Sequence, residues 1–294
     1  MGYVLIFLTV FASSVKSYCS KQISNTIETT RDAIRLNIIR NALCCSISAL
    51  IFFFNGQNSF FDFSPAEFCI CLISGSSMAV FVVCWTLAMK TDAYMLVSAC
   101  GSGSFIIPCI FGLFLLNERF TLFKFISFAM MIVALYFLLR YHVSIKGKIQ
   151  KLQIFLLALI LGSQGLNQTM QKLYAHYIPD KGANAYMLYS FMFTTVLLFL
   201  FQGFFKAPPD TEQRHLIKGN MKYVILMTLG LFGSSYFQTL AAARVEAILL
   251  YPMVNALSLI AGSILASLFY KERMSRDSII GIVFVLAALI FSKI

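Results

Sequence analysis

Apolar residues gather in ten long blocks along this chain, and polar residues gather in the gaps between them. The blocks span 2–20, 34–54, 66–89, 93–116, 121–139, 152–172, 183–205, 221–242, 247–270 and 278–292. A helix that crosses a bilayer needs about 20 mostly apolar residues. The pattern therefore predicts ten transmembrane helices and an all-α integral membrane protein. Turn and interface signals separate the blocks: Asn55–Gly56–Gln57–Asn58, Ser64–Pro65, Pro179–Asp180–Lys181–Gly182 and Pro208–Pro209–Asp210. No gap is long enough for a folded soluble domain, so the function is expected inside the membrane.

The pattern occurs twice. Lys90–Thr91–Asp92–Ala93 opens a block that closes on Asn117–Glu118–Arg119, and Arg244–Val245–Glu246–Ala247 opens one that closes on Lys271–Glu272–Arg273. The two copies are offset by 154 residues, and their acids are 26 apart in both. The first and sixth blocks align at an offset of 151. Ser13, Lys16, Ser17 and Ser20 fall at i, i+3, i+4 and i+7 in the first; Gln164, Asn167, Gln168 and Gln171 do so in the sixth. That spacing places each quartet on one helix face. Polar groups in hydrocarbon are costly unless satisfied, so both faces are expected to point into a bundle or a wet cavity. The repeat divides the chain at 1–145 and 146–294, with five helices in each half. An odd number inverts the second half in the membrane plane, the arrangement of many secondary transporters.

Composition excludes a soluble protein. Hydrophobic residues are 59% of the chain, charged residues 12%, and mean hydropathy is +0.81; soluble domains carry roughly 45–50% and about 25%. The net charge of +11 does not indicate nucleic acid, because the basic residues sit at block ends, where headgroups and the membrane potential favour cations. Outside Lys16 and Arg40, fifteen Lys and Arg follow odd-numbered helices and six lie on the other side. The positive-inside rule would make the first group cytoplasmic and put both termini outside. All eight cysteines precede residue 110 and none forms a Cys-x-x-Cys pair, so neither a metal site nor a disulfide framework is expected. The N-terminal block has no basic residue ahead of it and reads as a retained helix rather than a cleaved signal.

Two five-helix halves ending in Glu118–Arg119 and Glu272–Arg273, with Pro252 inside the ninth block, resemble the ten-helix EamA-like branch of the drug/metabolite transporter superfamily. The resemblance covers essentially the whole chain. It implies transport of an amino acid, sugar, drug or other metabolite without naming one, and it implies both termini inside, against the charge bias. The first half has Ser98 where the second has Pro252, so the fourth helix is expected to bend instead at Gly101, Gly103 or Pro108.

All twelve acids lie in loops or at block ends, which argues against a proton/cation exchanger built on a central carboxylate. Lys16 and Arg40 are the basic residues set within helices. An intramembrane charge costs roughly 3 kcal/mol on insertion scales and is by default a functional candidate; snorkelling of the long stem to the interface is the plainer alternative. If both face a cavity, the site is electropositive and suits a carboxylate or phosphate. Glu118 and Glu272 are expected to pair locally beside their arginines, and Asp92 and Glu246 to cap the helices they precede. Trp85 aligns with Thr239, and Cys84 with Gln238. Ser98 and Asn255 lie in the pair of helices where small and helix-breaking residues cluster, Asn255 and Gln238 carry amides that need partners in lipid, and Tyr186, Tyr189 and Tyr251 are candidates to line a path, with interface anchoring as the alternative. No catalytic motif is present, nor a site for ATP.

The sequence thus predicts a secondary transporter that moves a small polar or amphipathic metabolite by alternating access. Its expected substrate-binding residues are Ser13, Lys16, Ser17, Arg40, Trp85, Ser98, Gln164, Asn167, Gln168, Tyr189, Gln238, Tyr251 and Asn255. No catalytic residue, metal or cofactor is expected. The expected partners are a small-molecule metabolite and the lipid bilayer, with no nucleic acid and self-association left open; the cell membrane is the expected location. A flippase of a lipid-linked substrate and a non-transporting membrane scaffold or sensor are the alternatives.

Overall fold

The computed structural model describes residues 1–24, 27, 29–54, 64–88, 94–116, 118, 121–146, 151–204, 221–270 and 276–291. Among these, all regular structure is helical: α1 (Gly2–Ser24), α2 (Thr30–Phe54), α3 (Pro65–Ala88), α4 (Tyr94–Gly103), α5 (Ile106–Leu115), α6 (Leu122–Lys146), α7 (Lys151–Tyr177), a short 3₁₀ turn (Pro179–Lys181), α8 (Gly182–Gln202), α9 (Met221–Ala242), α10 (Ala247–Tyr270) and α11 (Arg276–Phe291). Every predicted block is a helix, with α4 and α5 forming the two pieces of the fourth. The protein is an all-α membrane protein of ten spans. Only helices and closed barrels satisfy every backbone polar group in lipid, so blocks this apolar settle as helices. Large apolar side chains such as Phe7, Phe11, Phe114 and Phe199 remain exposed on the outside, as suits a surface solvated by hydrocarbon.

Local chemistry sets several helix ends. Ser64 caps α3 by accepting the amide of Glu67 (3.1 Å), with Pro65 at the first helical position. Thr29 and Asp32 form a capping box at α2: the Asp32 amide donates to Thr29 Oγ1 (3.2 Å), and the Thr29 amide donates to Asp32 Oδ2 (2.9 Å). The fourth span breaks between Gly103 and Ile106, inside the region where the sequence predicts a bend. Pro108 lies in the first turn of α5, where its missing N–H is harmless. Pro252, by contrast, is the sixth residue of α10, and the helix continues through it.

The packing repeats itself when each span is exchanged for the one five places along. α1 packs along α9, and α7 along α3. α3 packs on α8 as α9 does on α2, and α1 meets α10 as α7 meets α4 and α5. The self-related pairs α2–α8, α6–α11 and α4/α5–α10 complete the set. This is the pairing of two inverted five-helix repeats. The first span of each half lies mainly against the third span of the other half, so the two halves are interlaced. Gly230 permits one of these approaches: a Cβ there would stand 2.8 Å from Ala12 O and from Lys16 N, on the α1 backbone.

Candidate functional site

The polar stripes predicted on the first and sixth spans meet on one central cavity. Ser13, Lys16 and Ser17 from α1 face Gln164, Asn167, Gln168 and Gln171 from α7. α3 contributes Ser74, Met78, Phe81 and Trp85; α8 contributes Tyr186 and Ser190; α9 contributes Ser234, Ser235 and Gln238; α10 contributes Asn255 and Ser258. The atom-free space these residues enclose, open mouth included, is about 1020 Å³. Asn255 is eight residues into α10, about 12 Å from its start at 1.5 Å per residue, so the cavity lies near the middle of the spans.

Its walls are held by hydrogen bonds both between the two repeats and within the second. Ser74 Oγ donates to Asn167 Oδ1 (2.9 Å) and lies 2.6 Å from the Tyr186 hydroxyl. Gln168 is the hub of a second set. Its Nε2 donates to Asn255 Oδ1 (3.2 Å), its Oε1 accepts from Ser104 Oγ (3.3 Å), and its backbone carbonyl accepts from Tyr251 OH (2.7 Å). Ser104 occupies the break between α4 and α5, so this set ties α7 and α10 to the interrupted span. Gln171 Nε2 donates to Thr239 Oγ1 (2.7 Å). Buried polar groups joined in this way specify one packing of the spans.

Two cations sit in this interior. The Lys16 ammonium is 5.9 Å from the Phe81 ring centroid and lines the cavity rather than rising to an end of α1. Arg40 is ten residues into α2, about 15 Å from its start, and only 2% exposed. It lies near enough to Lys16 for the two charges to repel, and its Nε has no hydrogen-bond partner. Two further donors on the lining, Trp85 Nε1 and Gln238 Nε2, are also buried without partners. The Trp85 ring lies against Gly101, where a Cβ would come within 2.7 Å of Cζ3. No carboxylate lines the cavity among the described residues.

Of the expected binding residues, Ser13, Lys16, Ser17, Trp85, Gln164, Asn167, Gln168, Gln238 and Asn255 line the cavity. Arg40 is buried beside it in α2. Tyr189 is packed away among apolar side chains next to Phe52, and Tyr251 acts on the Gln168 carbonyl from the second rank. Ser98 belongs to α4, and its side chain lies outside the described residues. Ser74, Ser104 and Thr239 were missed. A lone hydroxyl in an apolar helix gives no periodic signal, since it can bond its own backbone as readily as a neighbour.

The acids stand away from the cavity, and two of them fasten one end of the bundle. Glu118 accepts the amides of Ala247 (2.8 Å) and Ile248 (3.1 Å) at the start of α10 and lies 3.6 Å from the Lys172 ammonium. Lys172 in turn donates to the carbonyls of Ala242 (3.0 Å) and Val245 (2.7 Å) at the end of α9. Glu118 thus acts across the repeat boundary, where local pairing was expected, and it takes the α10 amides expected to fall to Glu246. Glu67, fully buried, accepts from Tyr174 OH (2.8 Å) and Lys181 Nζ (2.7 Å). Asp92, Arg119, Glu272 and Lys90 lie outside the described residues.

Comparison with known proteins follows the same lines. Residues 148–293 match the EamA-like transporter family. No curated protein matches the chain in sequence. Twenty-seven chains of solved structures share the fold. One, a crystal structure 12% identical, superposes with a TM-score of 0.74 over 99% of this chain and 95% of its own; at that identity it speaks for the fold alone. Through its second half the chain belongs to the EamA-like transporter family, and it is a membrane transporter of the drug/metabolite type.

Proposed function

We propose that the chain carries a small polar or amphipathic metabolite across the cell membrane by alternating access, without ATP and without enzymatic chemistry. The two units that exchange roles are 1–145 and 146–294. The observation that carries this reading is the meeting of the two repeat-related stripes, on α1 and α7, at one central cavity between the halves. Inverted repeats give two related conformations, each open to one side, and a site shared by both halves is accessible in each. The Glu118–Lys172 contacts then fasten one side of the cavity while a solute enters from the other.

The test is flux in proteoliposomes with Asn167→Ala and Gln168→Ala together. Transport is expected to be lost while membrane insertion stays near that of the parent. Unchanged flux would remove the α7 stripe from the site. Absence of any flux in the parent across amino acids, sugars, nucleosides and phosphorylated compounds would favour the scaffold reading.

A further inference from the structure

We infer that the cavity binds an anion, a carboxylate or phosphate on a compact organic body, with Lys16 as its direct partner and Arg40 as the supporting charge. This deepens the transport reading and rests on it for the role of the cavity. Lys16 lines the cavity midway along α1, Arg40 is buried at 2% exposure in the middle of α2, and no described carboxylate lines the cavity. Three described acids are engaged elsewhere: Glu67 by Lys181 and Tyr174, Glu118 by Lys172 and the start of α10, and Asp32 by Thr29. A buried charge without a partner is strongly unfavourable, so these cations leave a place for a counter-ion that none of the described residues lining the cavity supplies.

The neutral groups point the same way. Trp85 Nε1 and Gln238 Nε2 are donors on the lining with nothing to bond to, and a donor that lacks an acceptor when buried costs free energy. A carboxylate or phosphate oxygen satisfies both, and charge-assisted bonds are the stronger kind. Met78, Phe191, Leu231 and Val254 also line the cavity and give it apolar surface suited to the body of the ligand. A cationic or purely acceptor-poor solute would leave every one of these groups unmatched.

The chain has a single tryptophan, and it lies on this cavity, so its own fluorescence reports occupancy. Purified full-length protein is titrated with pairs that differ in charge: glycerol 3-phosphate against glycerol, phosphoserine against serine, hexanoate against hexanamide. Phosphatidylglycerol against phosphatidylcholine in mixed micelles tests a lipid headgroup as the anion's source. The charged member of at least one pair is expected to change Trp85 emission and raise the melting temperature, with the neutral member silent. Lys16→Gln is expected to weaken that binding by about tenfold or more, the equivalent of one charged hydrogen bond; Arg40→Lys, which keeps the charge, serves as the milder variant. Response to phosphatidylglycerol alone assigns the anion to a lipid. Equal response to charged and neutral members, or undiminished binding in a folded Lys16→Gln protein, overturns the inference. Anion binding without flux would sink the transport reading and leave this one standing; flux of a neutral solute with no anion response would do the reverse.

Discussion

Replacing Glu118 tests whether one side chain fastens α5, α7, α9 and α10 together. Its carboxylate is largely buried and accepts two backbone amides at 2.8 and 3.1 Å from the start of α10. Hydrogen bonds to a charged acceptor contribute about 1.5–3 kcal/mol each, and a negative charge at a helix N-terminus adds up to about 2 kcal/mol in partly buried geometry. The contact with Lys172 is long, at 3.6 Å between side chains 13% and 8% exposed, and desolvation of the two groups offsets much of its attraction, leaving about 1 kcal/mol. Glu118→Ala removes all of these, and water regained by the freed amides offsets part of the loss, so about 3–5 kcal/mol is expected. Glu118→Gln keeps one acceptor and is expected to cost about 1.5–3 kcal/mol. In a chain of this size that is roughly 3–8 °C in melting temperature. The assay is thermal unfolding in detergent for both variants and for Lys172→Met, closed as a double-mutant cycle. A coupling of about 1 kcal/mol between Glu118 and Lys172 is expected from the geometry. Stability within about 0.5 kcal/mol of the parent for Glu118→Ala would refute the fastening role.

Other contacts make equally definite predictions. Glu67→Gln removes the anion 2.7 Å from Lys181 and should lower stability by about 2–4 kcal/mol; the double variant with Lys181→Met should lose less than the two single losses added, and additivity would mean the two do not interact. Gly165→Ala would place a Cβ 2.8 Å from Ser104 O and 2.6 Å from Ile107 Cδ1, pushing α7 off the break in the fourth span; a loss of about 1–3 kcal/mol is expected, read as melting temperature, and a silent substitution would show that this approach is not tight. Trp85→Phe should abolish the fluorescence signal while leaving circular dichroism unchanged, and retained ligand-dependent emission would place the signal elsewhere. Asn255→Leu should break the link from α10 to Gln168 and Ser104 and reduce flux at least tenfold by analogy with loss of a charged or buried polar contact, with wild-type flux as the refuting result.

Much of this protein was written in its hydropathy. In lipid a backbone must bond within its own segment, so apolar length alone fixes ten helices. Repetition of the acid markers and of the quartets on the first and sixth blocks carries the two-halved plan. Those quartets also announced a wet interior, because Lys16, Asn167 and Gln168 on one face cannot be left in hydrocarbon. What only the tertiary structure decided is which side chains meet. The interlacing of the halves brings α1 onto α9 and α7 onto α3, and with it Ser74 to Asn167, 93 residues apart; within the second half, packing brings Gln171 on α7 to Thr239 on α9, 68 residues apart. No local period encodes such distances. Glu118 makes the same point: beside Arg119 in sequence it reads as a surface pair, and only the fold shows its carboxylate at the start of a helix 129 residues away. Tyr189 shows the converse, an aromatic that sequence offers to the path and packing consigns to the core. Sequence determines what must be buried and what must be satisfied; the three-dimensional packing determines by whom.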